Sequence, residues 1–283
     1  MSPTHVRVSG RGLHGGKRCD VALRSTDIAR VSIALADQEG ALPGCAVTDA
    51  FRSTTIAIGA RPLRTVEHLA AALFGLGITG GLRIDVAGDE LPLLDGGASA
   101  WLAALKEAMP ALVPGAARAH ARVTRAAMLS DGDATYRFAP ADDTRLTARV
   151  WLGDARYDRE ASWDGTAASF ERDIAPARTF AREEDVMELA RRGVGAWVPR
   201  ESVVVLCTNR EALFHGRPFA DDEPTRHKLL DLIGDVYVRC GVLRGHVHAE
   251  RPGHARTHAL LTRALADGVI EPTSRRPSDG FPA

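Results

Sequence analysis

Short runs of alternating apolar and polar residues recur along the chain and predict strands. In the first half they are 6–9, 19–23, Val31–Leu35, 54–58 and 82–86, and in the second half 136–139, 145–151, 203–206 and 245–249. Apolar residues three and four apart predict helices after Thr65, in EHLAAALFGLG, and over 98–108, 183–192, 223–239 and 253–266. We expect Thr65 to cap the first of these helices, because threonine accepts a hydrogen bond from the first turn.

These elements favour an α+β fold. Strands cluster and helices follow in each half instead of alternating strictly, which argues against a doubly wound parallel sheet. Residues 109–122, MPALVPGAARAHAR, form the best internal boundary because their prolines and glycine end a helical pattern. We expect two domains, 1–115 and 120–270, of similar layout but without a residue-level repeat. The polar stretch 271–283 is expected to be a flexible tail.

Composition narrows the classes of partner. The 283 residues contain 36 Lys+Arg and 36 Asp+Glu, and this zero net charge argues against a nucleic-acid partner. The longest apolar run, 69–78, is far shorter than the about 20 residues that span a membrane, and no signal-peptide core follows Met1. The four cysteines have no CxxC spacing. We therefore expect a reduced, cytoplasmic protein with no transmembrane segment and no obligate protein partner.

Three glycine-containing motifs resemble known sites only superficially. Residues 10–15, GRGLHG, match GxGxxG, but the following GKRCDVAL alternates like a strand, so a turn between two strands is the better interpretation. Gly16-Lys17 lacks the other residues of a phosphate-binding loop, and 97–101 lacks the final glycine of a nucleophile elbow. None of them predicts a nucleotide or hydrolase site.

Two helical motifs carry candidate chemistry. Glu67 and His68 are adjacent at a helix start and point in different directions, as a general base and a metal ligand would. His227 and Asp231 are four residues apart, as are Asp231 and Asp235, so the three share one helix face. Taken alone, a histidine at a helix start is more often structural, and a His–Asp pair on a helix is more often a surface salt bridge.

A third motif offers a competing metal site. His246 and His248 share one face of a predicted strand, and His254 and His258 share one face of a predicted helix; sequence spacing does not exclude this cluster. Two histidines and one aspartate suit a catalytic zinc site with one open position. Amide hydrolysis also requires a base for water and a protonated group for the leaving nitrogen. Glu67, the helical motifs and one late histidine supply this set if the fold brings them together.

Taken together, these motifs resemble the LpxC family of zinc-dependent UDP-3-O-acyl-N-acetylglucosamine deacetylases of lipid A synthesis. TVEHLAAALFGLGI, ELPLLDGGASAWL, ARTF, DEPTRHKLLDLIGD and PGH occur in the order and spacing of that family, and the glycine turn GRGLHGG also matches. The resemblance covers about residues 5–266. It implies a two-domain fold, each domain packing a mostly antiparallel sheet on helices, with the active site between the domains.

The resemblance also implies a ligand set and a base. By motif position, His68, His227 and Asp231 would hold Zn²⁺, and Glu67 would be the general base. The implied substrate is a small nucleotide sugar that can carry an acyl chain.

The same comparison assigns roles around the metal. His254 would be the general acid or oxyanion stabiliser, and Asp235 would orient it or balance its charge. Thr179 would donate to the tetrahedral oxyanion, while Phe180 and Lys228 would line the substrate site. The other late histidines match no ligand position.

Several segments depart from the family pattern. Ala-Arg-Thr-His at 255–258 replaces Ala-Leu-Asn-Asn, 198–202 replaces a Gly-Ser-Leu-Asp/Glu-Asn stretch, Phe51-Arg52-Ser53 replaces a Met-Leu-Cys-like segment, and Pro224-Thr225 replaces apolar residues. We expect the hydrolytic chemistry to be kept and acyl-chain recognition to differ. Two alternatives are a deacetylase of another N-acyl amino sugar or nucleotide sugar, and a non-catalytic binding protein of the same fold.

Overall fold

The computed structural model describes residues 5–111, 119–191, 195–208 and 210–273. The first half contains the strands β1 (His5–Arg11), β2 (Arg18–Ser25), β3 (Val31–Leu35), β4 (Gln38–Leu42), β5 (Val47–Asp49), β6 (Thr55–Ile58), β7 (Arg61–Leu63) and β8 (Leu82–Ala87). Its helices are α1 (Glu67–Leu76) and α2 (Ser99–Ala108).

The second half contains more strands and longer helices. Its strands are β9 (Ala121–Val123), β10 (Ala127–Asp131), β11 (Ala134–Ala139), β12 (Thr144–Arg149), β13 (Glu160–Trp163), β14 (Thr179–Arg182), β15 (Val203–Leu206), β16 (Leu243–Glu250) and β17 (Ile270–Pro272). Its helices are α3 (Ala167–Ser169), which continues as a π-helical turn (Phe170–Ile174), α4 (Glu183–Arg191), α5 (Glu223–Cys240) and α6 (His254–Ala266), with a 3₁₀ turn at Arg200–Ser202.

The two main sheets have the same topology. The first has the strand order β1-β2-β8-β3-β4, and the second includes β10-β11-β16-β12-β13. In each, the central strand is antiparallel to its neighbour on one side and parallel to its neighbour on the other. In each half, a helix leads into the central strand and a second helix follows it. The α+β expectation is confirmed, and the similar layout of the halves is a topological repeat.

An additional segment lies at the same place in both halves, between the fourth strand of the main sheet and the helix that precedes its central strand. The first insert, residues 47–63, is the antiparallel sheet β5-β6-β7. The second insert, residues 179–206, pairs β14 parallel to β15, and α4 lies between these strands in the chain. Both inserts therefore connect to the helices that carry the candidate chemistry.

The helices pack between the sheets. α2 lies against β1 and β2, α5 against β12 and β13, and α6 against β10, while α1 packs along α5. Every residue of α1 is buried, which explains why its sequence after Glu67 and His68 is apolar on all sides. α1 ends at Gly77, whose φ of 68° lets its N–H reach the carbonyls of Leu73 and Phe74. The α1–α5 contact places this apolar helix in the middle of the molecule.

Thr65 is not the N-cap of α1, so that prediction is wrong. Val66 occupies the N-cap position and no side chain caps the helix. Thr65 instead has a φ of 58°, and its hydroxyl donates to Glu90 Oε1 over 3.2 Å. An N-cap threonine would accept from the first turn, whereas here the hydroxyl donates to a buried carboxylate, and this charge-assisted contact holds Thr65 outside the cap position.

The remaining sequence predictions concern the GRGLHG turn, several strands and the C-terminal tail. GRGLHG forms the turn between β1 and β2, as expected. The strand predicted over 145–151 is shorter, and strands such as β4, β13 and β14 were missed because they are brief or polar. The expected tail began at 271, whereas β17 extends to Pro272 and pairs with β9. Residues 112–118 of the boundary, residue 192 and residues 274–283 lie outside the described residues, and the domain limits stay a prediction.

All four cysteines are free thiols. No helix in the described part of the chain combines the length and the apolar character needed to cross a bilayer.

Candidate metal centre

Three buried side chains meet where α1 packs against α5. His68 lies in the first turn of α1, and His227 and Asp231 lie one turn apart on α5. Asp231 Oδ1 is 3.5 Å from His227 Nε2 and 3.8 Å from His68 Nε2, and one ligand atom from each residue lies within 4.8 Å of the others. Ligand atoms on one tetrahedral zinc ion lie about 3.4 Å apart. The group therefore has the spacing that a single metal ion requires.

Hydrogen bonds leave the correct atoms free. His227 Nδ1 donates to the carbonyl of Ala177 over 3.0 Å, which presents Nε2 as the lone-pair nitrogen. Lys228 Nζ donates to Asp231 Oδ2 over 2.6 Å and leaves Oδ1 toward the two histidines. The histidine rings meet edge to face, with centroids 5.1 Å apart. Neighbouring groups thus preorganise two of the three ligands.

The ionisation states also suit a metal. Burial, followed by the nearby His227, lowers the pKa of His68 to about 3, and burial lowers the pKa of His227 as well. Burial opposes ionisation of Asp231, but the charge of Lys228, followed by the interaction with His227, holds the pKa of Asp231 well below the usual range. Two neutral imidazoles and one carboxylate result, which is a donor set that zinc prefers.

Glu67 is a buried carboxyl beside this group. Its Oε2 accepts a hydrogen bond from the backbone N–H of Thr54 over 3.1 Å, and its Oε1 is 3.8 Å from His254 Nε2. Burial raises the pKa of Glu67 to about 7, although His254 acts in the opposite direction. A carboxyl with that pKa can accept and release a proton near neutral pH.

His254, the first residue of α6, faces Glu67 across the site. Its Nδ1 donates to Asp235 Oδ2 over 2.9 Å, while its Nε2 is 3.8 Å from Asp231 Oδ2. Burial opposes protonation, but Asp235 and Asp231 outweigh it and raise the pKa of His254 to about 9. The imidazole is therefore positively charged at neutral pH and can donate a proton or stabilise an anion.

Sequence reasoning missed two residues of the site. Thr54 donates its hydroxyl to Asp235 Oδ1 over 2.6 Å, and His258 Nε2 is 3.2 Å from the same oxygen. The spacing of four residues from His254 places His258 on the same helix face, but this spacing predicts a metal ligand as readily as a partner of Asp235. Thr54 looked like the start of an ordinary strand.

The predicted substrate-lining residues lie around the ligands. The Phe180 ring lies 6.1 Å from that of His227, edge to face, and Thr179 begins β14 half-buried, its N–H donating to Gly96 over 2.8 Å. The preceding Arg178 is fully buried, and its Nε donates to Glu223 Oε1 over 2.8 Å. This ion pair ties the start of β14 to the first turn of α5.

The competing late-histidine metal site does not form. His246 Nε2 lies 2.8 Å from Asp143, and His248 Nε2 lies 3.4 Å from Glu160; both histidines are half-exposed. Within the part of the chain that the structure describes, neither belongs to a group of metal-binding geometry.

The two inserts meet near the site. Arg52 Nη2, in the bend before β6, lies 3.5 Å from Asp185 Oδ1 on α4. Beyond α4, Trp197 donates its indole N–H to the carbonyl of Gly12 over 3.1 Å. Segments from both halves of the chain therefore contact each other next to the candidate metal centre.

Comparisons with known proteins agree with this geometry. A family model described as LpxC, UDP-3-O-acyl N-acetylglycosamine deacetylase, matches residues 3–266. The UDP-3-O-acyl-N-acetylglucosamine deacetylase of Citrifermentans bemidjiense is 33% identical over 264 residues, 91% of this chain and 85% of the relative. The enzyme of the same name from an Anaeromyxobacter species is 32% identical, over 97% of this chain and 90% of the relative. The one from Xylella fastidiosa Temecula1 is 28% identical, over 93% of this chain and 88% of the relative. The chain therefore belongs to the LpxC family.

Proposed function

We propose that this protein removes the N-acetyl group of UDP-3-O-acyl-N-acetylglucosamine, a step of lipid A biosynthesis, with Zn²⁺ as its metal. Family membership and the names of the relatives support a deacetylase. The observation that carries the proposal is the convergence of a metal-ligand group, a carboxyl with a raised pKa and a protonated imidazole in one buried site.

Zn²⁺ fits the ligand group. His68 Nε2, His227 Nε2 and Asp231 Oδ1 are the atoms that would hold it, and three protein ligands leave one position open for water or substrate. A zinc ion bound there would polarise a carbonyl and would lower the pKa of water.

Glu67 and His254 divide the proton transfers. Glu67, held at Oε2 by the N–H of Thr54, accepts the proton of the attacking water. His254 is protonated and fixed by Asp235, so it stabilises the oxyanion or donates to the leaving amine nitrogen.

Three further residues complete the proposal. Thr179 donates its hydroxyl to the tetrahedral oxyanion, and Phe180 and Lys228 line the substrate site. Their support is position: Thr179 and Phe180 begin β14, and Lys228 already contacts the ligand Asp231. The proposal keeps the cytoplasmic location expected from the sequence, in line with the four free thiols.

Acetate release from a substrate panel tests the reaction. The panel contains UDP-N-acetylglucosamine with and without a 3-O-acyl chain, and N-acetylated sugars without the nucleotide. Release from the acylated nucleotide sugar supports the proposal. Preferential release from another member would replace it with a related deacetylase, and no release from any member by the folded, zinc-loaded protein would favour the binding protein.

Replacing Glu67 tests its role as a base. We expect Glu67→Gln to keep its zinc and to lower kcat by about 100- to 10,000-fold, because glutamine cannot accept the proton. Zinc analysis and initial rates on the best member of the panel measure both effects. A variant with the wild-type rate would make Glu67 a structural residue.

A further inference from the structure

Asp235 is a buried carboxylate that receives three side chains from two segments of the chain. His254 and His258 reach it from α6, and Thr54 reaches it from the residue before β6. Asp235 itself lies on α5 and is 1% exposed. The cluster therefore joins the first insert to α5 and α6.

The two carboxylate oxygens have different partners. Oδ2 accepts from His254 Nδ1 over 2.9 Å, whereas Oδ1 is 2.6 Å from Thr54 Oγ1 and 3.2 Å from His258 Nε2. Thr54 has one hydroxyl proton, and the shortest of these contacts assigns it to Asp235. The lone pair of Thr54 Oγ1, 3.0 Å from His258 Nε2, then accepts from that nitrogen. His258 Nε2–H is thus shared between Thr54 and Asp235.

The other nitrogen of His258 identifies its tautomer. Nδ1 is buried, and no group in the described chain forms a hydrogen bond with it. A proton on Nδ1 would be a buried donor without an acceptor, which costs more than a bare lone pair. These contacts therefore place the donated proton of His258 on Nε2.

We propose that His258 and Thr54 are positioning residues that hold Asp235 and, through it, His254. A carboxylate with only one anchored oxygen can rotate about its terminal bond, and the His254 ring would follow. Two donors on Oδ1 lock that rotation and keep Oδ2 aimed at His254 Nδ1. His254 Nε2 then stays 3.8 Å from Glu67 Oε1.

Thr54 links this network to the base as well. Its hydroxyl holds Asp235 while its backbone N–H holds Glu67 Oε2. Thr54 therefore fixes the position of Glu67 relative to that of Asp235 and His254. Glu67 and His254 are the two groups that transfer protons in the proposed deacetylation. This inference rests on that proposed function, because it gives the network a role in the same reaction.

Paired variants separate the hydrogen bonds from the packing. Thr54→Val removes the hydroxyl but keeps the shape and the N–H, and Thr54→Ser restores the hydroxyl. His258→Met removes the donor, and His258→Gln restores an N–H at the reach of Nε2. Thr257→Val is the matched control, since Thr257 is buried on the same helix and its hydroxyl bonds Tyr136 instead of Asp235.

We expect Thr54→Val and His258→Met to lower kcat about 10-fold with little change in KM or zinc content, as loss of an outer-shell partner does. Their Tm should fall no further than that of Thr257→Val, and Thr54→Ser and His258→Gln should recover most of kcat. The proposal is overturned if Thr257→Val loses as much kcat, or if His258→Met turns over like the wild type.

Nitrogen-15 NMR of the histidine side chains in the zinc-loaded protein provides a readout that does not depend on turnover. We expect His258 to be Nε2-protonated and the His254 Nδ1–H signal to be shifted in Thr54→Val but not in Thr257→Val. A His258 ring without a proton on Nε2, or an unmoved His254 signal, contradicts the positioning role. If the wild type releases no acetate, the proposed function fails while these signals still decide the inference.

Discussion

His227 presents its Nε2 to the metal group because its other ring nitrogen already has a partner. The Ala177 carbonyl accepts from Nδ1, and the ammonium of Lys228 occupies the second oxygen of Asp231. Each of these two ligands therefore has one atom anchored by the protein and one atom left for a metal. Such partners orient the ligands before any ion binds, which reduces the cost of ordering them.

Replacing a ligand should remove the metal. We expect the zinc content of His68→Ala and of His227→Ala to fall from about one ion per chain to a small fraction, because two protein ligands are too few to hold the ion. Metal analysis after dialysis measures the content. His246→Ala is the control, since His246 is a half-exposed histidine paired with Asp143, and it should keep its zinc. Full occupancy in both ligand variants would contradict the assigned site.

Among the elements, the close approach of α1 to α5 depends on Gly234. This residue lies between the ligand Asp231 and the anchor Asp235, on the face of α5 that meets α1. A Cβ placed there would lie 2.1 Å from the carbonyl oxygen of Glu67. Only glycine allows the two backbones to come so close, and this contact brings Glu67, the proposed base, near the proposed ligands on α5.

Gly234→Ala should separate the two helices. The clash is with backbone, which cannot rotate away, so we expect a loss of about 1–3 kcal/mol in the free energy of unfolding and a weakened metal site. Chemical denaturation and zinc titration measure the two effects. Gly253→Ala is a stability control, because nothing lies within 4 Å of a Cβ at that position. Wild-type stability in Gly234→Ala would show that α1 can shift without cost.

The Arg178–Glu223 pair joins β14 to α5. Both side chains are 1% exposed, and Glu223 also accepts from the backbone N–H of Arg178 over 3.0 Å. Burial opposes ionisation of Glu223, but the hydrogen bonds of Arg178 lower its pKa below the ordinary 4.5. A folded-state pKa below the unfolded one stabilises the protein above pH 4.5, and the stabilisation is lost as the pH falls through the folded pKa.

Glu223→Gln should therefore destabilise the protein most at neutral pH. Leaving the Arg178 charge buried without its partner costs about 3–5 kcal/mol. The difference from the wild type should narrow below pH 4.5, where the unfolded wild type takes up its proton first. Urea denaturation at pH 7 and pH 4 tests the sign. Glu171→Gln, in the exposed pair with Lys106, should cost less than about 1 kcal/mol, and an equal loss in both variants would contradict the argument.

Across the whole molecule, the topological repeat places corresponding pieces of the two halves against each other. α1 of the first half and α5 of the second each lead into the central strand of their sheets, and together they carry the three residues that could hold a metal ion. The inserts precede these same helices, so both lie near the site and meet through Arg52 and Asp185. A charged pair thus joins the inserts, and Arg52 stands where the resemblance to the family predicts an apolar segment.

This arrangement bears on acyl-chain preference. A long apolar passage would improve binding by about 0.8 kcal/mol per buried methylene. Arg52 beside such a chain costs free energy unless it stays paired or reaches water, so we expect the gain to stop early and the preferred substrate to carry a short chain or none. KM values over a series of 3-O-acyl lengths test this. A steady improvement to a dozen carbons or more would contradict it.

The variant Arg52→Leu tests whether Arg52 itself limits the length of the acyl chain. Removing the charge should extend the length dependence toward longer chains. Arg30→Leu is a matched control, because Arg30 pairs with Glu39 at the exposed edge formed by β3 and β4. If Arg52→Leu leaves the length profile unchanged, the ion pair with Asp185 does not limit the chain.

The sequence by itself determined what depends on local spacing. Apolar periodicity located the helices and the longer strands, because burial of one face repeats with the period of the element. A separation of four residues placed His227, Asp231 and Asp235 on one face of α5, since that separation is one helical turn. Motif order identified Glu67, His68 and His254 as members of one site, although only the resemblance related their distant positions.

Tertiary structure alone decided the contacts between segments far apart in the chain. Thr65 followed the Glu90 carboxylate instead of capping α1, and Thr54 and His258 met at Asp235 although no local pattern connects them. Tertiary packing also gave the late histidines different surroundings, since His258 is buried and His246 is half-exposed. Which partner a polar side chain finds depends on how helices and sheets pack, because a hydrogen bond requires approach to about 3 Å, and spacing along the chain constrains that distance only within one element.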